Sequence, residues 1–318
     1  MEIGYTLMGE QRSPKDLVRD AVLAEQAGFD FLVASDHYFP WLEVQGHSPY
    51  AWTVLGAVAQ ATERIPFMTY VTCPIVRYHP AIVAQKAATL AVLSDGRFSL
   101  GLGAGEQLNE HVVGMDWPPV DLRHAMLREA ISIIRELWQG EYVTYRGTHF
   151  DAVSAKLYDL PDEPIRIGVA ASGPSSCAIA AELGDYLIGT EPKPALQEKY
   201  RAAGGTGEMV GQFPGVYGAD ADAARDRLHE QFRWGTLGWK VQAEIPGPAG
   251  FAAAAQYVRP DDMADAGVWG PDVEPWVRML SSYADAGYTR VALVQVGPDQ
   301  EPFCEWFAGT LKPAVASL

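Results

Sequence analysis

The sequence predicts an α/β fold, a closed (β/α)8 barrel of the TIM type with insertions, and three observations lead there. The 318-residue chain carries no linker, low-complexity run or charge block that would divide it, and that length is normal for one α/β barrel. One joint recurs: AEQAGFDFLVASD (24–36), AELGDYLIGT (181–190) and YADAGYTRVALVQVG (283–297) each pass from an Ala-rich helix end through a glycine into a short apolar run. Repeated joints of this kind mean alternation of helix and strand. The segments between them supply further units, and length with unit count favours a closed barrel over an open doubly wound sheet. The whole of 1–318 is therefore expected to be a single barrel domain.

Taken in order, Ser13-Pro14 opens a helix whose Leu17, Val18, Ala21 and Ala24 share one face. Gly28, Gly184 and Gly287 suit the left-handed position after a helix, and the runs that follow them read as buried parallel strands. Residues 66–74 read as a strand, 80–93 as a helix and Arg97–Leu102 as a strand. Residues 122–138 form the clearest helix, with Leu122, Met126, Ala130, Ile133, Ile134 and Leu137 at helical spacing. EYVTYRGTHFDA (141–152) alternates about Arg146-Gly147 and reads as a hairpin interrupting the barrel. Residues 165–171 and 185–189 add strands. The Gly/Pro-rich, poorly periodic stretch 191–270 is expected to be a long insertion near the site.

Nearly half of the residues (48%) are apolar and mean hydropathy is −0.05, so a large core is available. No run of eighteen apolar residues occurs and MEIGYTLMGE lacks a charged-then-apolar signal pattern, so a soluble cytoplasmic protein is expected, without membrane contact. Lys plus Arg is 24 against 40 Asp plus Glu, a formal charge of −16; such a surface repels nucleic acid. Cys73, Cys177 and Cys304 are odd in number and far apart, which argues against a disulfide framework and a zinc site and fits a reducing compartment. No metal is expected.

Chemistry in a barrel sits at the C-terminal strand ends, and three segments stand out there. VASDHYFPW (33–41) runs from a strand into Asp36, His37 and Trp41. A solvated loop histidine is the bland reading; a general base is the sharper one, since His titrates near neutrality. SLGLGAGEQLNEH (99–111) places Gly101, Gly103 and Gly105 ahead of Glu106, Asn109 and Glu110. The glycines let a backbone approach a flat ligand, or serve barrel closure alone; the spacing is not the G-x-G-x-x-G dinucleotide fingerprint. In GVAASGPSS (168–176), Ser172, Gly173, Ser175 and Ser176 surround Pro174 at the start of a helix. Free amides and hydroxyls there hold a phosphate, or simply cap the helix. No H-E-x-x-H, nucleophile elbow or Cys/His ligand set is present, and hydride or proton transfer around a flat cofactor suits these residues better.

The opening GYTLMGEQ together with SDHYFPW, RYHPAIVAQ, LGLGAGEQLNE, ASGPSS and GTEPK resembles the luciferase-like barrel superfamily. Within it the chain is similar to the coenzyme F420-dependent glucose-6-phosphate dehydrogenase family. The likeness runs nearly the full length and is strongest from residue 3 to about 193. It implies a homodimeric barrel in which hydride passes from a hydroxyl-bearing carbon of a small-molecule substrate to the deazaflavin. His37 would be the base, Glu106 would serve the ring nitrogen, and Trp41 and Glu10 would help hold the reacting centre. Cofactor contacts would fall on Asp36, Tyr70, Val71, Cys73, Asn109, Ser172, Gly173 and Ser176, beside the Gly105 and Ser175 already noted, with a cis peptide at Tyr70-Val71.

Two departures fall at the cofactor, where Cys73 replaces a hydroxyl residue under the ring and Ser172 a glycine of the phosphate loop; the others concern substrate. Of the family's sugar-phosphate ligands Thr190 and Lys193 remain, and Lys240 stands where a second lysine is expected. The arginine expected just before 269–277 is missing; the stretch reads Ala264-Asp265-Ala266-Gly267-Val268. Glucose 6-phosphate is accordingly expected to be a poor substrate. Aromatic residues in 213–269 suit a less polar alcohol or ketone, or merely pack the insertion. Two other readings stand beside this one: an FMN-dependent monooxygenase-like enzyme, and a non-catalytic flavin-binding protein that would not need His37 and Glu106 together.

Overall fold

The fold is taken from a computed structural model, which describes residues 1–316 and 318, Asp265 by its backbone alone. Eleven strands form in chain order: β1 (Glu2–Leu7), β2 (Phe31–Ala34), β3 (Phe67–Thr69), β4 (Phe98–Leu102), β5 (Val143–Arg146), β6 (Asp151–Ala155), β7 (Ile167–Ala170), β8 (Tyr186–Ile188), β9 (Glu208–Val216), β10 (Val268–Trp269) and β11 (Arg290–Gln295). Eight of them run parallel in the order β9-β11-β1-β2-β3-β4-β7-β8, and β8 pairs with β9 to close the barrel. β10 extends the far end of β9, and β5 and β6 make a separate antiparallel hairpin. Helices α1 (Pro14–Ala27), α2 (Ala51–Ala61), α3 (Pro80–Leu93), α4 (Gln107–Glu110), α5 (Val120–Leu137), α6 (Pro174–Leu183), α7 (Pro194–Ala202), α8 (Ala221–Phe232), α9 (Trp239–Gln242), α10 (Pro248–Ala254), α11 (Val273–Asp285) and α12 (Gln300–Trp306) form the outer ring and the segments above it.

The core is layered as a barrel requires. Phe31, Val33, Met68, Tyr186, Ile188 and Val210 fill the interior. The opposite strand faces, with Leu32, Phe67, Leu100, Val169 and Leu293, meet the apolar stripes of the helices. A separate cluster around Trp41, Trp234, Phe251 and Met263 lies among the segments beyond the strand ends. The barrel strands are buried on both faces, which is why they read as continuous apolar runs rather than alternations.

Ser13 caps α1 with Pro14 in its first turn, and Gly28 (φ 84°) and Gly287 (φ 84°) are left-handed, as expected. Gly184 is not: its φ is −94°. There a Cβ would stand 2.8 Å from the Ala180 carbonyl oxygen, so glycine is required by close approach rather than by handedness. The hairpin falls at 143–155, its turn held to α5 because the Glu129 carboxylate accepts from the amides of Thr148, His149 and Phe150. The expected strand 66–74 stops at Thr69 and continues as an irregular turn. The stretch 191–270, expected as an insertion, is partly barrel: α7 and β9 are a regular helix and strand within it. Their period was hidden because β9 contains Gly211, Pro214 and Gly215.

No helix among the described residues is long and apolar enough to cross a membrane, and Cys73, Cys177 and Cys304 are all buried and unpaired.

The closeness of β3 to β4 gives a first prediction. A Cβ at Gly101 would stand 2.0 Å from the Thr69 carbonyl oxygen, whereas one at Gly56 in α2 meets nothing within 4 Å. Gly101→Ala should destabilise by about 1–3 kcal/mol or more through overpacking. Gly56→Ala should stabilise by about 0.4–1 kcal/mol. Denaturant midpoints of the two variants against the parent test both signs.

Candidate active site

The candidate groups converge on the loops that follow β1, β2, β3 and β4, at the C-terminal end of the barrel. The β2 loop begins with Ser35, Asp36 and His37. Asp36 is buried and its carboxylate is saturated: Trp52 Nε1 (2.9 Å) and Thr72 Oγ1 (2.7 Å) donate to Oδ2, and Arg77 (3.1 Å) and Tyr78 OH (3.3 Å) donate to Oδ1. Its side chain is wholly buried, and these bonds fix the turn that presents His37.

His37 Nδ1 lies 3.1 Å from Glu10 Oε1 and 3.3 Å from the Phe39 carbonyl oxygen. Two acceptors on one ring nitrogen assign the hydrogen to Nδ1 and leave the Nε2 lone pair free to accept a proton. Glu10 comes from the loop after β1, is 2% exposed, and takes a second hydrogen bond from Ser35 Oγ at 2.6 Å. It therefore stands behind the imidazole, where it orients the ring and would stabilise the imidazolium. Ser35 was missed by sequence reasoning; its place directly before Asp36-His37 was the available signal.

On the β4 side Glu106 is half-buried and its Oε2 accepts from Asn109 Nδ2 at 3.1 Å. Asn109 Oδ1 in turn accepts from the Tyr38 amide at 2.8 Å. Asn109, expected as a cofactor contact, ties the Glu106 loop to the His37 loop. Trp41 stacks on Trp234 at 4.0 Å with planes 8° apart and meets Phe251 edge-on at 5.0 Å; the His37 ring lies 4.9 Å from it. One wall of the reacting centre is therefore apolar and braced from behind.

The platform is the turn after β3. The Tyr70–Val71 peptide is cis. The Tyr70 amide donates to Ala34 O and the Thr72 amide to Gly101 O, while Val71 remains half-exposed. Tyr70 OH reaches Gly189 O at 2.7 Å. Gly103 and Gly105 make room for this turn: a Cβ on them would stand 2.6 Å from Val71 Cγ2 and 2.5 Å from Cys73 Sγ. Cys73 is buried, and burial with Glu110 nearby pushes its thiol well above its ordinary value, keeping it protonated.

At the start of α6, Ser176 Oγ accepts from the amides of Ser172 and Gly173, both at 3.1 Å. Those two amides are taken by capping, so an anion there would meet the hydroxyls of exposed Ser172 and Ser175 and the unpaired first amides of the helix. Nothing stands within 4 Å of a Cβ position on Gly173, so the approach is open. Thr190, Lys193 and Lys240 lie on exposed segments; Lys193 Nζ is paired with Glu191 at 2.6 Å. The side chain of Asp265, next to the missing arginine, lies outside the described residues. Of the aromatics in 213–269, Trp234, Phe232, Phe251 and Trp269 belong to the cluster around Trp41, Phe213 stacks with Tyr283 in the helix layer, and Trp239 and Tyr257 are exposed. No group of three or more His, Cys, Asp or Glu among the described residues could hold a metal.

A family model described as luciferase-like monooxygenase matches residues 1–298. A protein of Beutenbergia cavernae named F420-dependent glucose-6-phosphate dehydrogenase is 37% identical over 326 residues, 98% of this chain and 97% of that one. One of the same name from Amycolatopsis mediterranei is 35% identical over 336 residues, 100% and 99% of the two chains. A solved structure of an F420-dependent secondary alcohol dehydrogenase in complex with an F420-acetone adduct superposes with a TM-score of 0.91 at 30% identity, covering 99% of this chain and 98% of that one. The coenzyme F420-dependent tetrahydromethanopterin reductase of Methanopyrus kandleri shares the fold, with a TM-score of 0.80 at 22% identity over 98% and 99% of the chains.

Beneath the platform Glu110 is fully buried. Burial pushes its carboxyl up to about 7, against the opposing pull of Arg77, whose amide donates to Oε2 at 2.7 Å. A carboxyl raised on folding binds its proton more tightly in the folded state, so its contribution is greatest at low pH and is lost as pH rises from the ordinary carboxylate range through about 7. Glu110→Gln keeps an acceptor and removes the titration. The variant should gain thermal stability relative to the parent as pH is raised from 5 to 8, read as the difference in Tm across about that window.

Proposed function

The chain belongs to the luciferase-like monooxygenase family, and from that premise we propose that it is a coenzyme F420-dependent oxidoreductase acting on an alcohol or its carbonyl partner. The observation that carries the reading is the His37–Glu10–Ser35 array: an oriented base with a free Nε2 beside an apolar wall, tethered through Asn109 to a second proton carrier, Glu106. The residues fit the cofactor. Half-exposed Val71 offers a flat apolar face, and the exposed hydroxyls and open backbone approach at Ser172, Gly173 and Ser175 suit a phosphate.

Bound there, the deazaflavin supplies the carbon that accepts or returns the hydride. His37 Nε2 takes the hydroxyl proton as the carbon–oxygen double bond forms, and Glu10 holds the resulting imidazolium through Nδ1. Glu106 holds or delivers the proton at the cofactor's ring nitrogen. Trp41, braced by Trp234 and Phe251, keeps water from the reacting carbon. In the reverse direction the same groups return the protons.

The substrate we propose is a small uncharged alcohol rather than glucose 6-phosphate. A phosphate dianion needs several charge-assisted donors, Arg above all. Here the expected arginine is missing, Lys193 is already paired, and Met263 and Ala266 from the neighbouring stretch pack into the apolar cluster. The solved secondary alcohol dehydrogenase at 30% identity supports this choice. A homodimer is proposed as well, supported by exposed Tyr50 ahead of α2 and by Ile82, Val92 and Leu93 on α3. The unpaired buried cysteines support a cytoplasmic setting.

Fluorescence quenching with oxidised F420 and with FMN should show preference for the deazaflavin, and steady-state assays should give saturable oxidation of short secondary alcohols with little or none of glucose 6-phosphate. Preferential FMN binding would favour the monooxygenase reading instead. Efficient oxidation of glucose 6-phosphate would show that Lys240 or Arg233 replaces the missing arginine.

His37→Ala should lower kcat by about 10²–10⁴-fold with cofactor affinity changed only a few fold, because a base acts in the transition state more than in binding. Glu106→Gln should slow hydride transfer comparably in stopped flow. Full turnover in either variant would remove that residue from its role.

A further inference from the structure

Two proton carriers must hold fixed places around one ring, yet His37 follows β2 and Glu106 follows β4, and the loop between them belongs to β3. We propose that Arg77 of that middle loop is a positioning residue that sets base against acid, an inference resting on the function proposed above. Its Nη2 donates to the backbone carbonyl of Asp36, the residue directly before His37, at 2.7 Å, and to Asp36 Oδ1 at 3.1 Å. Its own amide donates to Glu110 Oε2 at 2.7 Å, one helical turn beyond Glu106, and its Nε faces Glu110 Oε1 at 3.6 Å.

The side chain is 7% exposed and the two carboxylates opposite it are 0% and 1% exposed. Burial works to strip its proton, and Asp36, Tyr78 and Glu110 outweigh burial, so the guanidinium stays charged. A charge held out of water between two loops acts as a spacer of fixed length, because any drift of either carboxylate leaves a buried ion without its partner.

The geometry separates this role from mere support of the fold. Asp36 keeps Trp52, Thr72 and Tyr78 when Arg77 is gone, so the turn survives; what is lost is the pair of bonds to the Asp36 carbonyl and Oδ1 and the cation facing Glu110. Arg77 Nε and Glu110 Oε1 make no hydrogen bond at 3.6 Å. The planar guanidinium addresses a carbonyl, a carboxylate and a second carboxylate at once, and a lysine, with a single ammonium, reaches one of them.

The test, run at pH 8 where Glu110 is mostly ionised, uses Arg77→Lys and the double variant Arg77→Met/Glu110→Gln, which there removes one cation and one anion together. Both should bind oxidised deazaflavin within a few fold of the parent and keep the parental KM for alcohol, while kcat falls by about 10²-fold, the expected cost of roughly 1 Å of misplacement. Millimolar guanidinium should restore part of the turnover of Arg77→Ala, and potassium chloride at the same ionic strength should not. In the ligand-free protein the His37 ring nitrogen resonances should move in the double variant and remain parental in Arg128→Met, whose guanidinium pairs with Glu182 on the outer surface. Parental kcat in the double variant, or in Arg77→Lys should the double variant fail to fold, overturns the inference. Failure of the parent to bind deazaflavin overturns the proposed function instead, and the His37 resonances then decide the Arg77 role alone: unmoved, they overturn it.

Discussion

The site hangs on one buried carboxylate. Removing Asp36 from water costs several kcal/mol unless its lone pairs are filled and its charge matched, and four donors from α2, the turn after β3 and the segment leading to α3 do this. Because those donors belong to separate elements, the aspartate does more than satisfy itself. It locks the β2 loop to the β3 turn at the place where the chain leaves the barrel, so that the next residue, His37, projects in one direction. Glu10 and Ser35 then complete that direction from behind. In the proposed function a base is useful only if its lone pair is aimed, and here the aim is inherited from the buried carboxylate of the residue before it.

The cofactor platform follows from a second constraint, the lack of space between β3 and β4. β3 has three residues before its chain turns across the barrel mouth, and Thr69 Oγ1 and the Gly101 backbone exchange hydrogen bonds at 2.9 and 3.0 Å to hold the crossing. Each alternate residue of β4 and its extension must then give way. Gly101 yields to Thr69, Gly103 to Val71 and Gly105 to Cys73. The packing reading and the ligand reading of the glycine series are therefore compatible: glycines on β4 let the β3 turn lie close, and in the proposed function the outer face of that turn meets the ring.

The barrel was legible because its determinants are local. Helix–glycine–strand joints, the Ser13-Pro14 cap and the stripe of α5 each speak for themselves within a dozen residues. β9 was not, since Gly211, Pro214 and Gly215 break its apolar run, and its identity as a strand comes from pairing with β11 and β8 far away in sequence. The same division runs through the site. His37, Trp41 and Glu106 announce themselves by lying just beyond strand ends. Ser35, Trp52, Thr72, Arg77 and Tyr78 do not, because each is an ordinary residue until the barrel closes and brings it to Asp36 or Glu10. Asn109 and Asp36 are expected at the cofactor because polar side chains beside a site look like ligands; within the fold Asn109 bonds the loop after β2, and Asp36 bonds α2 and the segment from β3 to α3.

Charge gives the last step toward substrate. The molecule carries a formal −16, so an anionic substrate must find local cations that are not already spent. Around the mouth, Arg77 is divided between Asp36 and Glu110, Arg123 is paired with Glu244 at 2.7 Å and Lys193 with Glu191. Turning any of these toward a phosphate means stripping a carboxylate of its partner, and for Arg77 that carboxylate is buried. The donors at the start of α6 are uncharged, and in the proposed function the cofactor takes them. A neutral alcohol asks for none of this: it needs one acceptor for its proton, which His37 Nε2 is, and a dry wall for its carbon substituents, which the Trp41–Trp234 stack is. Arg77, Arg123 and Lys193 are thus engaged by carboxylates, which leaves Lys240 and Arg233 to meet an anion, and that shortage is the physical ground for proposing an uncharged substrate.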